Sequence, residues 1–228
     1  MDLVYPRTCA LCGAQSEEGY LYLCWNCRCR LPLTQLPVCE ICGRTATTET
    51  DYICPACRRK QPAFDRARAA AHYRGLMRDM VLNLKYHNAL WLSHDLGILL
   101  AGAMAAFYQD HPFDAVTFVP LSWMRRRTRS FNQARLLASS LAHRSKPRRP
   151  VWNCLERNRF KETQTHLAAR ARQKNVRGAF RMTRGAEVQG KTLLLVDDVM
   201  TTGATVDECA RVLKQAGAKG VYVLTLCR

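Results

Sequence analysis

Apolar residues follow two alternating patterns along most of the chain. Short apolar runs, typical of strands, occur at 67–73, 113–120, 151–155, 192–196 and 221–226. Helical spacing occurs at 76–107, 134–142 and 205–216, with a break near Asn88 and Ser93 that predicts two helices in the first stretch. Strands that alternate with helices predict an α/β fold with a doubly wound parallel sheet. Ligands of such sheets bind beyond the carboxyl ends of the strands.

The most specific motif follows the 192–196 strand. Asp197 and Asp198 come first, and a threonine turn around one glycine then leads into a helix. Small residues let backbone N–H groups approach a phosphate, and the helix adds its positive end. We expect the two carboxylates to hold ribose hydroxyls directly or through Mg²⁺ and to serve as the catalytic acids. The predicted binding residues are Val199, Thr201, Thr202, Gly203, Ala204 and Thr205.

Other phosphate-binding loops fit this motif less well. A nucleotide-triphosphate loop needs a Gly-Lys-Ser/Thr ending, and a dinucleotide fingerprint needs three spaced glycines. The motif instead resembles the phosphoribosyl pyrophosphate (PRPP) signature of type I phosphoribosyltransferases. An ordinary strand–turn–helix with an acidic strand end is the alternative interpretation.

A second candidate loop follows the 113–120 strand. It carries the arginine run 125–129, and its strand ends at the same edge of the predicted sheet as Asp197. We therefore expect the arginine loop and the acidic loop to face one pocket, although a solvated turn is the alternative. Lys85, on a predicted helix, is expected to be an exposed lysine. Residues 161–180 predict a mobile loop followed by a helix near 167–174.

Cysteines dominate the N-terminal region. Four Cys-x-x-Cys pairs begin at residues 9, 24, 39 and 54, a strict fifteen-residue step. In a cytoplasmic chain such pairs indicate metal ligands, and eight thiolates make two closed tetrahedral Zn²⁺ sites with a structural role. The predicted ligands are Cys9, Cys12, Cys24, Cys27, Cys39, Cys42, Cys54 and Cys57.

The pairing of these cysteines is not fixed by their spacing alone. Neighbouring pairs that combine in order give two consecutive zinc ribbons with short loops, which we favour on loop entropy. A cross-braced arrangement is the main alternative, and a redox role for the pairs is another. We expect residues 1–62 to form this small region and residues 63–228 to form the main domain.

The net charge of +17 is unevenly distributed. Residues 124–191 carry nineteen basic and three acidic side chains, which is nearly the whole excess. Such a region suggests a polyanion, and Trp123, Phe131 and Phe160 among the arginines could stack on the bases of single-stranded DNA. A solvated basic surface with no partner is the alternative. The sequence shows neither a secretory signal nor an eighteen-residue apolar stretch, so we expect a cytoplasmic protein without a membrane span.

Taken together, these motifs resemble the ComF family, the ComFC-like and GntX-like proteins. The resemblance rests on the double zinc ribbon, on Val119-Pro120 followed by 127–133, on the run 163–180 and on the PRPP signature. Ser130 stands where the family usually has glycine. The resemblance implies a type I phosphoribosyltransferase fold, with Arg127 and Arg129 on pyrophosphate.

The resemblance also implies a flexible lid at 161–177, which contributes Lys161 and Arg170. It implies a cytoplasmic role in DNA uptake with a competence helicase and recombination proteins, or, in one branch, in gluconate utilisation. Three functions remain open: an active phosphoribosyltransferase on an unknown acceptor, a binding module for PRPP and single-stranded DNA, and an adaptor whose ribbons recruit a partner.

Overall fold

A computed structural model of the chain describes residues 8–15, 21–46, 52–121, 131–158 and 176–228. The helices are α1 Trp25–Cys29, α2 Pro55–Arg59, α3 Gly75–Tyr86, α4 Ser93–Tyr108, α5 Gln133–Arg144 and α6 Ala204–Gln215, with a 3₁₀ turn at Leu90–Leu92 before α4. The strands are β1 Arg66–Ala71, β2 Ala115–Phe118, β3 Leu155–Arg157, β4 Phe180–Met182, β5 Thr192–Val199 and β6 Gly220–Cys227. The predicted alternation of strands and helices in the main domain is confirmed, including the division into α3 and α4.

Four strands form a parallel sheet in the order β1-β6-β5-β2. The central strand β5 carries Leu193, Leu194, Leu195 and Val196, and all four are fully buried. Apolar side chains on both faces of a strand require cover on both sides. Helices α4 and α5 pack against each other and against the sheet, and α6 packs against β5 and β6. The steps from β1 to β2 and from β5 to β6 cross the sheet in opposite directions, so the right-handed crossover rule places α6 on the opposite face from α4, on which α5 packs. The fold is therefore α/β as predicted.

Two strand predictions differ from the structure. Residues 151–155 do not form one strand: Val151 makes a single parallel bridge to Val116, and β3 pairs with β4 in a separate antiparallel sheet. Strand β5 continues past Val196 to Val199, because β6 runs alongside it and pairs Val199 with Cys227. The two aspartates therefore lie in the last residues of the strand, and the turn begins after them.

The N-terminal region covers one edge of the sheet. Leu33 forms an antiparallel bridge with Ala71, and the Thr34 N–H donates to the Ala70 carbonyl at 2.9 Å. The Ala67 N–H on the same strand donates to the Ile41 carbonyl at 2.7 Å. The predicted boundary at residues 62 and 63 stays a prediction, but the N-terminal region and the sheet are in direct contact.

Helix α4 belongs to the only described segment with the length and composition of a membrane span, Leu90–Tyr108. One such helix is weak evidence, because the core helix of a globular domain meets the same criteria. Leu96 and Leu100 of α4 are fully buried, and the helix packs on β1, β6 and α5. The absence of a membrane span and the cytoplasmic location remain predictions.

Candidate functional site: a pocket at the carboxyl edge and two cysteine tetrads

The eight cysteines gather into two groups of four. Within each group the Sγ atoms all lie within 4.8 Å of one another, and the Cys12–Cys24 and Cys42–Cys54 sulfur atoms are 3.6 Å apart. Four thiolates around one Zn²⁺ at about 2.3 Å require sulfur separations of this size. Neighbouring pairs combine in chain order, so the favoured pairing is confirmed and the cross-braced alternative is wrong. The donor set fits two closed structural zinc sites.

The first cysteine of each tetrad has a lowered pKa. The turn that follows the first cysteine of each tetrad, from Cys9 to Gly13 and from Cys39 to Gly43, is called a knuckle. Burial raises the pKa of Cys9, but hydrogen bonds from backbone N–H groups around its knuckle outweigh the effect of burial and lower the pKa to about 6. The same balance lowers the pKa of Cys39 to about 7. Gly13 and Gly43 close the two knuckle turns with φ values of 74° and 69°, which favour glycine. Each knuckle is therefore a turn whose N–H groups stabilise thiolate, the form that binds zinc.

At the other end of the sheet, β5 ends in the predicted acidic motif. The Met200 N–H donates to the Cys227 carbonyl at 2.9 Å, and the chain then turns through Thr201 and Thr202. Gly203 precedes α6 with a φ of 85°, a left-handed conformation that glycine adopts at little cost. The first N–H groups of α6 point back toward this turn, which gives it the character of an anion site.

The ends of β2 and β5 line one pocket of about 310 Å³. Asp197, Asp198, Val199, Thr201 and Thr205 contribute from one side, and Val119, Pro120 and Leu121 contribute from the other. The predicted juxtaposition of the two strand ends is therefore present. Thr202, Gly203 and Ala204 do not line this pocket; they line a neighbouring cleft of about 690 Å³ that reaches the second tetrad.

The two carboxylates point to different sides of the strand. Burial and then the Asp197 charge raise the pKa of Cys209 on α6, whereas burial and then the Asp198 charge raise the pKa of Cys227 on β6 to about 12. Successive residues in a strand face opposite ways, which accounts for the difference. The Asp197 carboxylate also accepts the Asp198 N–H at 2.9 Å.

Asn132 and Gln133 end the 127–133 segment, and the structure shows what they contact. The Asn132 Nδ2 donates to the Val119 carbonyl at 3.1 Å, and its Oδ1 accepts the Arg135 N–H to cap α5. Asn132 thus joins the two ends of the segment that carries the arginine run. Gln133 also lines the pocket, and its buried Nε2 has no hydrogen-bond partner among the residues described.

Lys85 is not the exposed lysine that the sequence predicts. Its Nζ lies 2.9 Å from the Asp198 Oδ1, its side chain is only 18% exposed, and it lines the pocket. A signal was present in the sequence: Met77, Val81 and Lys85 follow one another at intervals of four residues, and the first two are fully buried. Lys85 therefore continues the buried stripe of α3.

The neighbouring cleft is less cationic than its arginines suggest. Arg211 pairs with Glu208 at 2.6 Å, and the Arg228 side chain donates to the Cys42 carbonyl at 2.7 Å. Burial lowers the pKa of Arg228, and the thiolates of Cys42, Cys54 and Cys57 oppose that shift. A zinc tetrathiolate carries a net charge of −2, so these arginines balance the metal site and the acids beside it.

The pocket suits chemistry on an activated ribose. Cleavage at the anomeric carbon leaves positive charge on the ring, and the carboxylates of Asp197 and Asp198 can stabilise such charge. Their oxygen atoms also fit Mg²⁺, which proteins often bind through one or two carboxylates together with substrate phosphates. When bound with a pyrophosphate, Mg²⁺ would neutralise the leaving group.

The remaining predicted site residues fall outside the described ranges. These are Arg127, Arg129, Lys161 and Arg170, together with Trp123 and Phe160 and almost all of the predicted lid. Their contributions to pyrophosphate or DNA binding stay predictions.

Comparison with known proteins agrees with this architecture. Residues 1–63 match the family model "Double zinc ribbon domain", and residues 136–228 match "Phosphoribosyl transferase domain". "DNA utilization protein YhgH" of Salmonella typhi is 35% identical over 90% of this chain and 96% of its own. "Competence protein ComFC" of Bacillus subtilis is 25% identical over 99% and 96% of the two chains.

Among solved structures, the glutamine PRPP amidotransferase of B. subtilis is 25% identical with a TM-score of 0.41. That match covers 60% of this chain and 26% of the other, so only a quarter of the amidotransferase is represented. The full-length relatives and the two family models, together with the paired tetrads and the parallel sheet, show that this chain belongs to the ComF family of competence and DNA-utilization proteins.

Proposed function

We propose that this protein binds PRPP or a related phosphorylated ribose and acts in DNA uptake by binding single-stranded DNA. The observation that carries the proposal is the single pocket that collects Asp197, Asp198, Thr201 and Thr205 at the carboxyl edge of the sheet. Hydroxyl donors and the start of α6 suit the 5′-phosphate, and the acids suit the ribose hydroxyls.

Calorimetry with PRPP and Mg²⁺ tests the sugar-phosphate part. The double variant Asp197→Asn/Asp198→Asn is expected to lose at least about tenfold in affinity, since it removes charge-assisted hydrogen bonds to the ribose. Asp79→Asn, an exposed acid on α3, is the matched control and should bind like the native protein. Equal heats for all three proteins would contradict the proposed pocket.

The DNA part is supported by the charge of residues 124–191 and by the names of the relatives, which refer to DNA utilization and competence. Anisotropy of a labelled single-stranded oligonucleotide should show affinity that falls steeply with salt, because each neutralised phosphate releases counterions. The proposed DNA binding would be contradicted if the oligonucleotide did not bind, or if its affinity were the same at low and physiological salt. A competence helicase and recombination proteins are the partners that we expect.

An active phosphoribosyltransferase is the second candidate, favoured by the acid pair beside the end of the predicted pyrophosphate loop. Turnover of labelled PRPP against bases, amines and 5′-phosphorylated DNA tests it. Release of pyrophosphate that requires one acceptor would establish an enzyme. Tight PRPP binding without any acceptor-dependent turnover would favour a sensor or docking role, in which the ribbons recruit the partner.

A further inference from the structure

A lysine from a different part of the chain neutralises one of the two acids of the pocket. The Lys85 Nζ is 2.9 Å from the Asp198 Oδ1, and the two side chains are 18% and 15% exposed. Lys85 lies in the last turn of α3, where the negative end of the helix dipole favours a cation. The pair is therefore held in a partly buried position rather than on an open surface.

The rest of α3 fixes where this ammonium goes. Met77, Met80, Val81 and Leu84 are fully buried and anchor the helix against the core. Lys85 follows Val81 by one turn, so its stem continues the buried row and its head emerges at the carboxyl edge of the sheet. Successive side chains of β5 point to opposite faces of the sheet, and Asp197 faces α6. Asp198 faces the other way and pairs with Lys85 of α3.

The Asp198 carboxylate lies in a pocket that Asp197, Thr201 and Thr205 also line, and oxygen donors of this kind bind divalent cations. Here an ammonium already contacts Asp198, and any cation that approached would have to displace it or meet its repulsion. Mg²⁺ gives up its water reluctantly and gains most when a substrate phosphate supplies further oxygens. The arrangement thus opposes a metal alone and permits one that arrives with an anionic ligand.

We infer that Lys85 takes the place of a resident divalent cation in the ligand-free protein. It holds Asp198 in position and prevents this carboxylate from binding free metal, so that a cation enters only together with the sugar phosphate. The identity of that ligand rests on the proposed function; the exclusion of free metal rests on the Lys85–Asp198 contact alone. Lys85 is in this sense a positioning residue.

Electron paramagnetic resonance of Mn²⁺ tests this inference without PRPP and without any activity measurement. Titrated with Mn²⁺ alone, the zinc-loaded full chain should bind weakly. Lys85→Met keeps most of the length of the side chain and removes its charge, and it should bind Mn²⁺ at least about tenfold more tightly, because a unit positive charge near the site is gone. The double variant Lys85→Met/Asp198→Asn should return to weak binding.

Two further variants separate a charge effect from a structural one. Lys85→Arg keeps the charge and should bind Mn²⁺ as weakly as the native chain. Lys191→Met removes another lysine, which is paired with Asp114 at 3.3 Å beside the amino end of β5, and it should change nothing. Lys85→Gln serves as a second neutral variant, and thermal unfolding followed by circular dichroism confirms the fold of each protein.

The inference is overturned if both neutral variants bind Mn²⁺ no more tightly than the native chain. It is equally overturned if the native chain binds Mn²⁺ tightly without a sugar phosphate. A native chain that binds neither PRPP nor any sugar phosphate would overturn the proposed function instead, and the Mn²⁺ comparison would still decide the role of Lys85.

Discussion

The two cysteine tetrads have the same ligand spacing and the same knuckle turns, yet the chain encloses them differently. In the first tetrad Cys12 is exposed, and the ribbon is held to the main domain by Asp95, which accepts the Leu21 and Tyr22 N–H groups at 3.0 and 2.7 Å. In the second tetrad all four cysteines are buried. Arg68 and Arg228 donate to the carbonyls of its first knuckle.

Two metal sites with the same cysteine spacing therefore need not contribute equally to the stability of the protein. The second tetrad shares its packing with β1, so its metal is expected to support the sheet as well as the ribbon. The first tetrad has an exposed ligand, Cys12, and its ribbon is joined to α4 by the two hydrogen bonds to Asp95.

The largest contrast is expected between matched ligand replacements, Cys54→Ser and Cys24→Ser. Structural zinc contributes about 10–16 kcal/mol in small domains, comparable with the whole stability of an average protein. Cys54→Ser should therefore lose most of its folded population. Cys24→Ser should lose one zinc by elemental analysis but keep the main thermal transition by circular dichroism. Equal losses in both variants would contradict the difference between the tetrads.

Arg68→Met should have the next largest effect. The Arg68 side chain is only 5% exposed, and its guanidinium donates to the Cys39, Glu40 and Ala67 carbonyls. Its removal takes one donor from each of these carbonyls, of which Cys39 keeps the Gly43 N–H, and it breaks the 3.1 Å ion pair with the Glu40 carboxylate. The free energy of unfolding should fall by about 3–5 kcal/mol. Urea denaturation measures the loss. Arg66→Met, two residues away and 36% exposed, is the control and should cost under about 1 kcal/mol.

The equivalent glycines of the two knuckles give a matched test of packing. A Cβ at Gly43 would lie 2.6 Å from the Ala67 carbonyl oxygen, whereas a Cβ at Gly13 would meet nothing within 4 Å. Both positions have positive φ, so an alanine at either one should lower the free energy of unfolding by about 1 kcal/mol. Gly43→Ala adds a steric clash with β1, and its total loss should be about 2–3 kcal/mol. In urea unfolding, Gly43→Ala should lose more stability than Gly13→Ala by the cost of this clash. Similar midpoints for the two variants would contradict a close contact between the second knuckle and β1.

Asp95→Asn should have the smallest effect and act on the first ribbon. The Asp95 carboxylate is fully buried and accepts from two N–H groups and from His94 Nδ1 at 2.8 Å. An amide weakens these charge-assisted bonds by about 1–2 kcal/mol. Hydrogen exchange at residues 21 and 22 should speed up while exchange in β5 and β6 stays slow. Asp110→Asn, an exposed acid just beyond the same helix, should leave both unchanged.

Much of this architecture could be predicted from the sequence because its signals are local. The apolar run 193–196 and the helical spacing of α3 and α4 each lie within one element. The fixed spacing of the cysteines, with loop entropy, was sufficient to pair the tetrads in the right order. The acidic turn of Asp197 to Thr205 needed only its own residues to suggest a phosphate pocket.

What escaped prediction depends on contacts between distant segments. Lys85 meets Asp198 across 113 residues, and Arg68 meets the Cys39 knuckle across 29. Local periodicity predicts only whether a position is buried or exposed, so it could not identify the partner of Lys85 or of Arg68. The length of β5 likewise depended on how far β6 runs beside it.

Backbone hydrogen bonds join β1 to Thr34 and Ile41, and a third joins the next residue, His72, to the Pro32 carbonyl. These bonds have a consequence for the behaviour of metal-free protein. They occupy the outer side of a terminal strand whose N–H and C=O groups would otherwise be available to another chain. Chelation of the second zinc should weaken these hydrogen bonds and expose the edge of β1, which could then pair with a strand of another chain. The metal would then protect the protein against self-association, a property that light scattering during slow chelation can follow.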